Sequence, residues 1–95
     1  MRCFTERERE LIGDNGVRAA GNFAVKEAVA KVFGTGFRGF KLTDIEVLRD
    51  ELGKPYVNLY GNASKLAKKQ GINKLHISIS NTKDYAIAYV IGEAL

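Results

Sequence analysis

A chain of 95 residues with 45% hydrophobic and 27% charged side chains is long enough for one small domain and too apolar for disorder. Its longest apolar run, YAIAYVI, is too short to cross a bilayer, and the opening MRCFTERERE lacks a secretory leader pattern, so a cytoplasmic protein without membrane contact is expected. The net charge of +4 favours an acidic partner, but scattered basic residues and core-like aromatic spacing make nucleic acid the weakest candidate.

Cys3, the only cysteine, has no disulfide partner and reads as a half-buried thiol. FTERERELI, residues 4–12, predicts a helix capped by Thr5, with Glu8 completing a capping box. GDNG (13–16) predicts a turn. A second helix follows from Val17 or Arg18 to Phe33, packing through Phe23, Ala24, Ala28 and Val32 and ended by Gly34. GTGFRGF is a glycine-rich loop.

From Thr43 the period becomes two. DIEVLRD sets Ile45 and Val47 against Glu46 and Leu48, the pattern of a half-buried strand. DELGKP turns the chain into PYVNLY, giving a hairpin. A short helix through KLAKKQ is capped by Asn62 or Ser64 and stopped by Gly71. KLHISISN and YAIAYVI predict a second hairpin around Thr82, Lys83 and Asp84, with Leu75, Ile77 and Ile79 on one face and His76, Ser78 and Ser80 on the other. The expected fold is α+β, a small antiparallel sheet with packed helices.

The chemistry concentrates in NFAVKEAVAKVF. Glu27 and Lys31 lie four apart and share a helix face, a spacing that by itself favours a surface ion pair over a metal-and-phosphate site. Magnesium takes only one or two protein carboxylates, so a single glutamate suffices to begin such a site. Lys26 lies about 100° around the helix from Glu27 and either flanks the same ligand or reaches solvent. The strand face of His76, Ser78 and Ser80 is either solvated or lines a groove. No acid stands at a spacing that suits a Ser-His triad.

AGNFAVKEAVAKVFGTGFRGF resembles the phosphopantetheinyl transferases, in particular the short bacterial holo-acyl-carrier-protein synthases. Their signature is an aromatic residue, x-x-K-E-A, and a lysine four beyond the glutamate. DIEVLRDELGKPYVNLYG and HISISNTKDYAIAYV resemble that family's middle and C-terminal blocks, and CFTERERE its segment before the signature helix. The similarity runs through nearly the whole chain in order.

The resemblance implies transfer of 4′-phosphopantetheine from coenzyme A to a serine of apo acyl carrier protein, releasing 3′,5′-ADP, in fatty acid biosynthesis. It implies Glu27 as ligand of a Mg²⁺ ion on the pyrophosphate. Lys31 is implied at the phosphates, with Lys26 adding positive potential. His76, Ser80 and Asn81 are implied as cofactor contacts, reached across the interface of a homotrimer. The carrier supplies the nucleophile, and an acidic carrier suits a basic enzyme. The chain departs from the family twice. It begins after the family's G-I-D-I-like strand, whose Asp is the other metal ligand, and Asp14 matches no motif. Asn81 stands where the family often has His. The alternative reading is a relic that binds coenzyme A or carrier protein without turnover.

Overall fold

The first helix begins where its capping box predicts. In the computed structural model, which describes residues 2–82 and 84–94, α1 spans Glu6–Ile12. Glu8 N donates to Thr5 Oγ1 at 3.2 Å and Thr5 N donates to Glu8 Oε1 at 3.1 Å. The second helix, α2, spans Gly16–Phe33 and starts slightly earlier than expected, because Asn15 Oδ1 accepts from Val17 N and Arg18 N. Gly34 ends it at φ 76°, a left-handed conformation that a side chain would strain.

The buried face of α2 differs from the predicted one. Gly21, Asn22, Val25, Lys26, Val29, Ala30 and Phe33 are buried, whereas Phe23 is 37% exposed and Ala24, Ala28 and Val32 are half-buried. The stripe through Val25, Val29 and Phe33 offers the larger apolar surface, each side chain contributing about 1.5–3 kcal/mol on burial. That rotation carries Lys26 inward as well, where an acid meets it.

After a short 3₁₀ turn at Leu42–Asp44, β1 (Ile45–Arg49) pairs antiparallel with β2 (Pro55–Leu59), Val47 opposite Val57. The half-buried alternation expected for β1 gives way to four consecutive buried residues, Ile45 to Leu48. Both faces are covered: Ile45 and Val47 join Val25 and Val29 in the core, while Thr5 and Arg7 reach Glu46 on the other side. α3 (Gly61–Lys69) is capped by neither Asn62 nor Ser64. It starts at once after β2, since Ser64 N donates to the Tyr60 carbonyl at 3.2 Å, and it buries Ala63 and Ala67 on one face.

β3 (Lys74–Asn81) and β4 (Ala86–Glu93) form the second hairpin as predicted. Leu75, Ile77 and Ile79 turn toward the core; His76, Ser78 and Ser80 are exposed. α2 lies across the inner face of this hairpin, and Val32 Cγ1 stands 2.7 Å from where a Cβ on Gly92 would be. The strands form two separate two-stranded sheets rather than one. Cys3 is half-buried, as expected. In the turn between β3 and β4, Thr82 N donates to the Tyr85 carbonyl at 2.8 Å; Lys83, expected there too, lies outside the described residues. Among the described residues no helix is long and apolar enough to cross a membrane.

Candidate active site

Phe23, Glu27 and Lys31 occupy successive turns on the outward side of α2, and all three are exposed. The surface ion pair that the spacing allows between Glu27 and Lys31 is not formed. Neither side chain has an ion pair or side-chain hydrogen bond to a described residue. A carboxylate and an ammonium, one turn apart and both free, can engage an outside ligand without first breaking an internal contact. The glycine loop after α2 folds back along this side: the Phe37 ring lies 6.3 Å from Phe23 between centroids, and 6.4 Å from Phe40. Phe37 is itself 40% exposed, so an apolar shelf borders the charged pair.

Among the described residues no three His, Cys, Asp or Glu side chains gather into a cluster that could hold a metal ion alone. Magnesium does not need one, because it keeps several waters and completes its shell with phosphate oxygens. The single free carboxylate of Glu27 fits that chemistry as one ligand.

Lys26 corrects the expectation placed on it. It is fully buried and faces the core rather than solvent, whereas Glu27 is exposed. Its Nζ donates to Glu8 Oε1 at 2.8 Å, to the Leu42 carbonyl at 2.9 Å and to the Ile45 carbonyl, and sits 5.6 Å from the centre of the Phe4 ring. Burial lowers its pKa from the ordinary lysine value, and the Glu8 hydrogen bond and charge act against that shift. Lys26 is therefore a component of the fold.

His76 and Ser80 project from the outer face of the β3–β4 hairpin, whereas α2 packs on the inner face. One chain therefore does not bring them to Glu27. His76 Nε2 lies 3.1 Å from Glu93 Oε1, both about half exposed. Asn81, also exposed, reaches back toward α2: its Oδ1 is 3.4 Å from the position of a Cβ on Gly21, with Arg49 Nη2 3.9 Å from the same point. Burial and the charge of Arg18 lower the pKa of the Arg49 guanidinium.

The sequence reading missed what surrounds Glu8. This carboxylate accepts from Thr5 N, Lys26 Nζ, Asn22 Nδ2 at 3.2 Å and Val47 N at 3.2 Å, and is fully buried. Its position as third residue of a capped helix explained it locally and concealed its long-range partners. The signal available was the pairing of that one acid with Lys26, the charge nearest the apolar stripe of α2.

Comparison with known proteins places these features in context. The pattern of the 4′-phosphopantetheinyl transferase superfamily matches residues 1–90. A holo-[acyl-carrier-protein] synthase of Lachnoclostridium phytofermentans is 57% identical over 94 residues, covering 99% of this chain and 77% of that protein. The synthase of Clostridium beijerinckii is 52% identical over 86 residues, covering 90% and 69%. The crystal structure of the Helicobacter pylori synthase in complex with coenzyme A superposes with a TM-score of 0.86 at 28% identity, covering 97% of this chain and 78% of that one. The Neisseria meningitidis synthase superposes equally well, TM-score 0.86, at 35% identity, covering 97% and 77%.

Proposed function

The chain belongs to the 4′-phosphopantetheinyl transferase superfamily and, within it, to the holo-[acyl-carrier-protein] synthases, and from that premise we propose that its 95 residues act as one domain that loads acyl carrier protein from coenzyme A. The oxygen of a carrier serine forms a bond to the phosphorus bearing pantetheine. The bond from that phosphorus to the bridging oxygen breaks, 3′,5′-ADP departs with the electron pair, and the serine proton is lost to water. The holo carrier serves fatty acid biosynthesis in the cytoplasm.

The observation that carries this reading is the free Glu27 carboxylate one turn from the free Lys31 ammonium on α2. Glu27 would hold a magnesium ion, which would supply charge neutralisation at the diphosphate. Lys31 donates to a phosphate oxygen as a compact point charge. The shelf of Phe23 and Phe37 shields one side of the reacting group from water.

His76, Ser80 and Asn81 complete the site from a neighbouring subunit of a homotrimer. Their hairpin supports that role: Tyr85, Ile87, Tyr89 and Ile91 leave an apolar stripe on β4 and its approach, 42–66% exposed, beside His76, Ser78 and Ser80. A chain this small gains core by burying such a face against a copy of itself. Incubation with coenzyme A, Mg²⁺ and apo acyl carrier protein, read by intact mass, tests the function. The carrier gains one phosphopantetheine group. An unchanged carrier alongside measurable coenzyme A binding replaces this reading with binding alone.

A further inference from the structure

The Glu8–Lys26 pair is costly. Two charges lose water completely, and beside them the Asn22 Oδ1 is buried without a hydrogen-bond partner among the described residues. Apolar side chains of similar volume at such a place often give an equally stable or more stable protein. What they do not give is direction, because apolar contacts slide whereas a saturated ammonium does not.

The Lys26 ammonium has three donors and three acceptors, on α1, at the 3₁₀ turn and at the start of β1. Glu8 is held in turn by Thr5 N, Asn22 Nδ2 and Val47 N. The network thus joins α1, α2 and β1 around one point of α2. Rotating α2 by about 20° would sweep the end of an extended lysine through about 3 Å and break all three bonds. Glu27 is the next residue, about 100° further round, so its azimuth is set by the same three bonds.

We propose that Glu8 and Lys26 are positioning residues: their buried pair sets the angular orientation of α2 and thereby holds Glu27 and Lys31 where a metal-bound diphosphate meets both. The proposal rests on the reading of Glu27 as a magnesium ligand. Neither Glu8 nor Lys26 touches substrate; each acts through Glu27.

The test uses the full chain with Lys26→Met, which leaves Glu8 its three other donors, and independently Glu8→Gln, which keeps an acceptor for Lys26. Three measurements are made: thermal unfolding, Mg²⁺ titrated calorimetrically into the protein with coenzyme A, and transfer kinetics. The expected result is a folded variant whose Mg²⁺ affinity and kcat each fall about tenfold or more while KM for coenzyme A stays within about threefold. The double variant Lys26→Met with Glu27→Gln is then no worse than Glu27→Gln alone, because both changes remove one function.

Wild-type Mg²⁺ affinity in a folded Lys26→Met protein, with Glu27→Gln abolishing binding, overturns the positioning role and leaves the metal reading standing. Unchanged Mg²⁺ affinity in Glu27→Gln overturns the metal reading itself. If neither positioning variant holds the fold, the pair is a stability element and the proposal falls.

Discussion

The Glu8 carboxylate and the Lys26 ammonium stand 2.8 Å apart with neither exposed to solvent, across 18 residues of sequence. They join the inner side of the first helix to the inner side of the second. Lys26 lies next to Glu27, yet the two side chains leave α2 about 100° apart: one is immobilised by the core and the other is exposed.

Glu27→Gln should leave stability within about 0.5 kcal/mol of wild type, since an exposed, unpaired side chain contributes little. Carrier loading should fall by about a hundredfold or more. If Lys31 donates to a phosphate as proposed, Lys31→Ala would remove a charge-assisted hydrogen bond of about 1.5–3 kcal/mol, and KM for coenzyme A should rise about tenfold or more. Thermal melts and steady-state kinetics check both, and wild-type turnover in Glu27→Gln would contradict the assigned role.

Glu46 should make the protein acid-sensitive. Burial alone would raise its pKa, but donors from Thr5, Asn58 and Tyr60 and the Arg7 charge outweigh that and lower it from the ordinary glutamate value of 4.5. A carboxyl depressed in the folded state contributes stability that is complete above the unfolded pKa and is lost as pH falls through the folded one. Stability should therefore decline below pH 4.5, and Glu46→Gln should make that decline shallower. Denaturant midpoints measured from about pH 6 to about pH 3 decide it; parallel curves for the two proteins would show that Glu46 does not contribute.

Gly92→Ala should destabilise the fold by about 1–3 kcal/mol. The new methyl would meet Val32 Cγ1 at 2.7 Å and Ile72 Cγ2 at 3.3 Å, both on apolar side chains packed against β4. Relief requires α2 to shift from the hairpin. A melting temperature equal to wild type would mean that Val32 changes rotamer without cost.

Tyr89→Glu should weaken self-association. Tyr89 is 66% exposed at the middle of β4 beside Ile87 and Ile91, and a carboxylate there would have to be desolvated in any interface covering the stripe. Sedimentation of the wild type should give a trimer, and the variant should dissociate at about tenfold higher concentration or more. A wild-type monomer at all concentrations, or an unaffected trimer, would contradict the use of this face.

Local structure was legible because its causes are local. Thr5 with Glu8, Gly34 after Phe33, and the alternation of Leu75, Ile77 and Ile79 each announce a helix start, a helix end and a strand through neighbouring residues. Glu27 and Lys31 share a helix face by spacing, and the motif around them is what the role proposed for them rests on. The cap of α3 was misplaced because Tyr60 caps without its side chain.

Which side of α2 faces inward, and with it the fate of Lys26, was decided only by tertiary structure. Along the helix alone Lys26 is one charge among three near neighbours, with no reason to be buried. Glu8 on another helix and carbonyls at Leu42 and Ile45 supply the acceptors that make burial tolerable. The covering of β1 on both faces has the same origin. Burial of polar groups depends on partners distant in sequence, and only the folded chain brings those partners within hydrogen-bond reach.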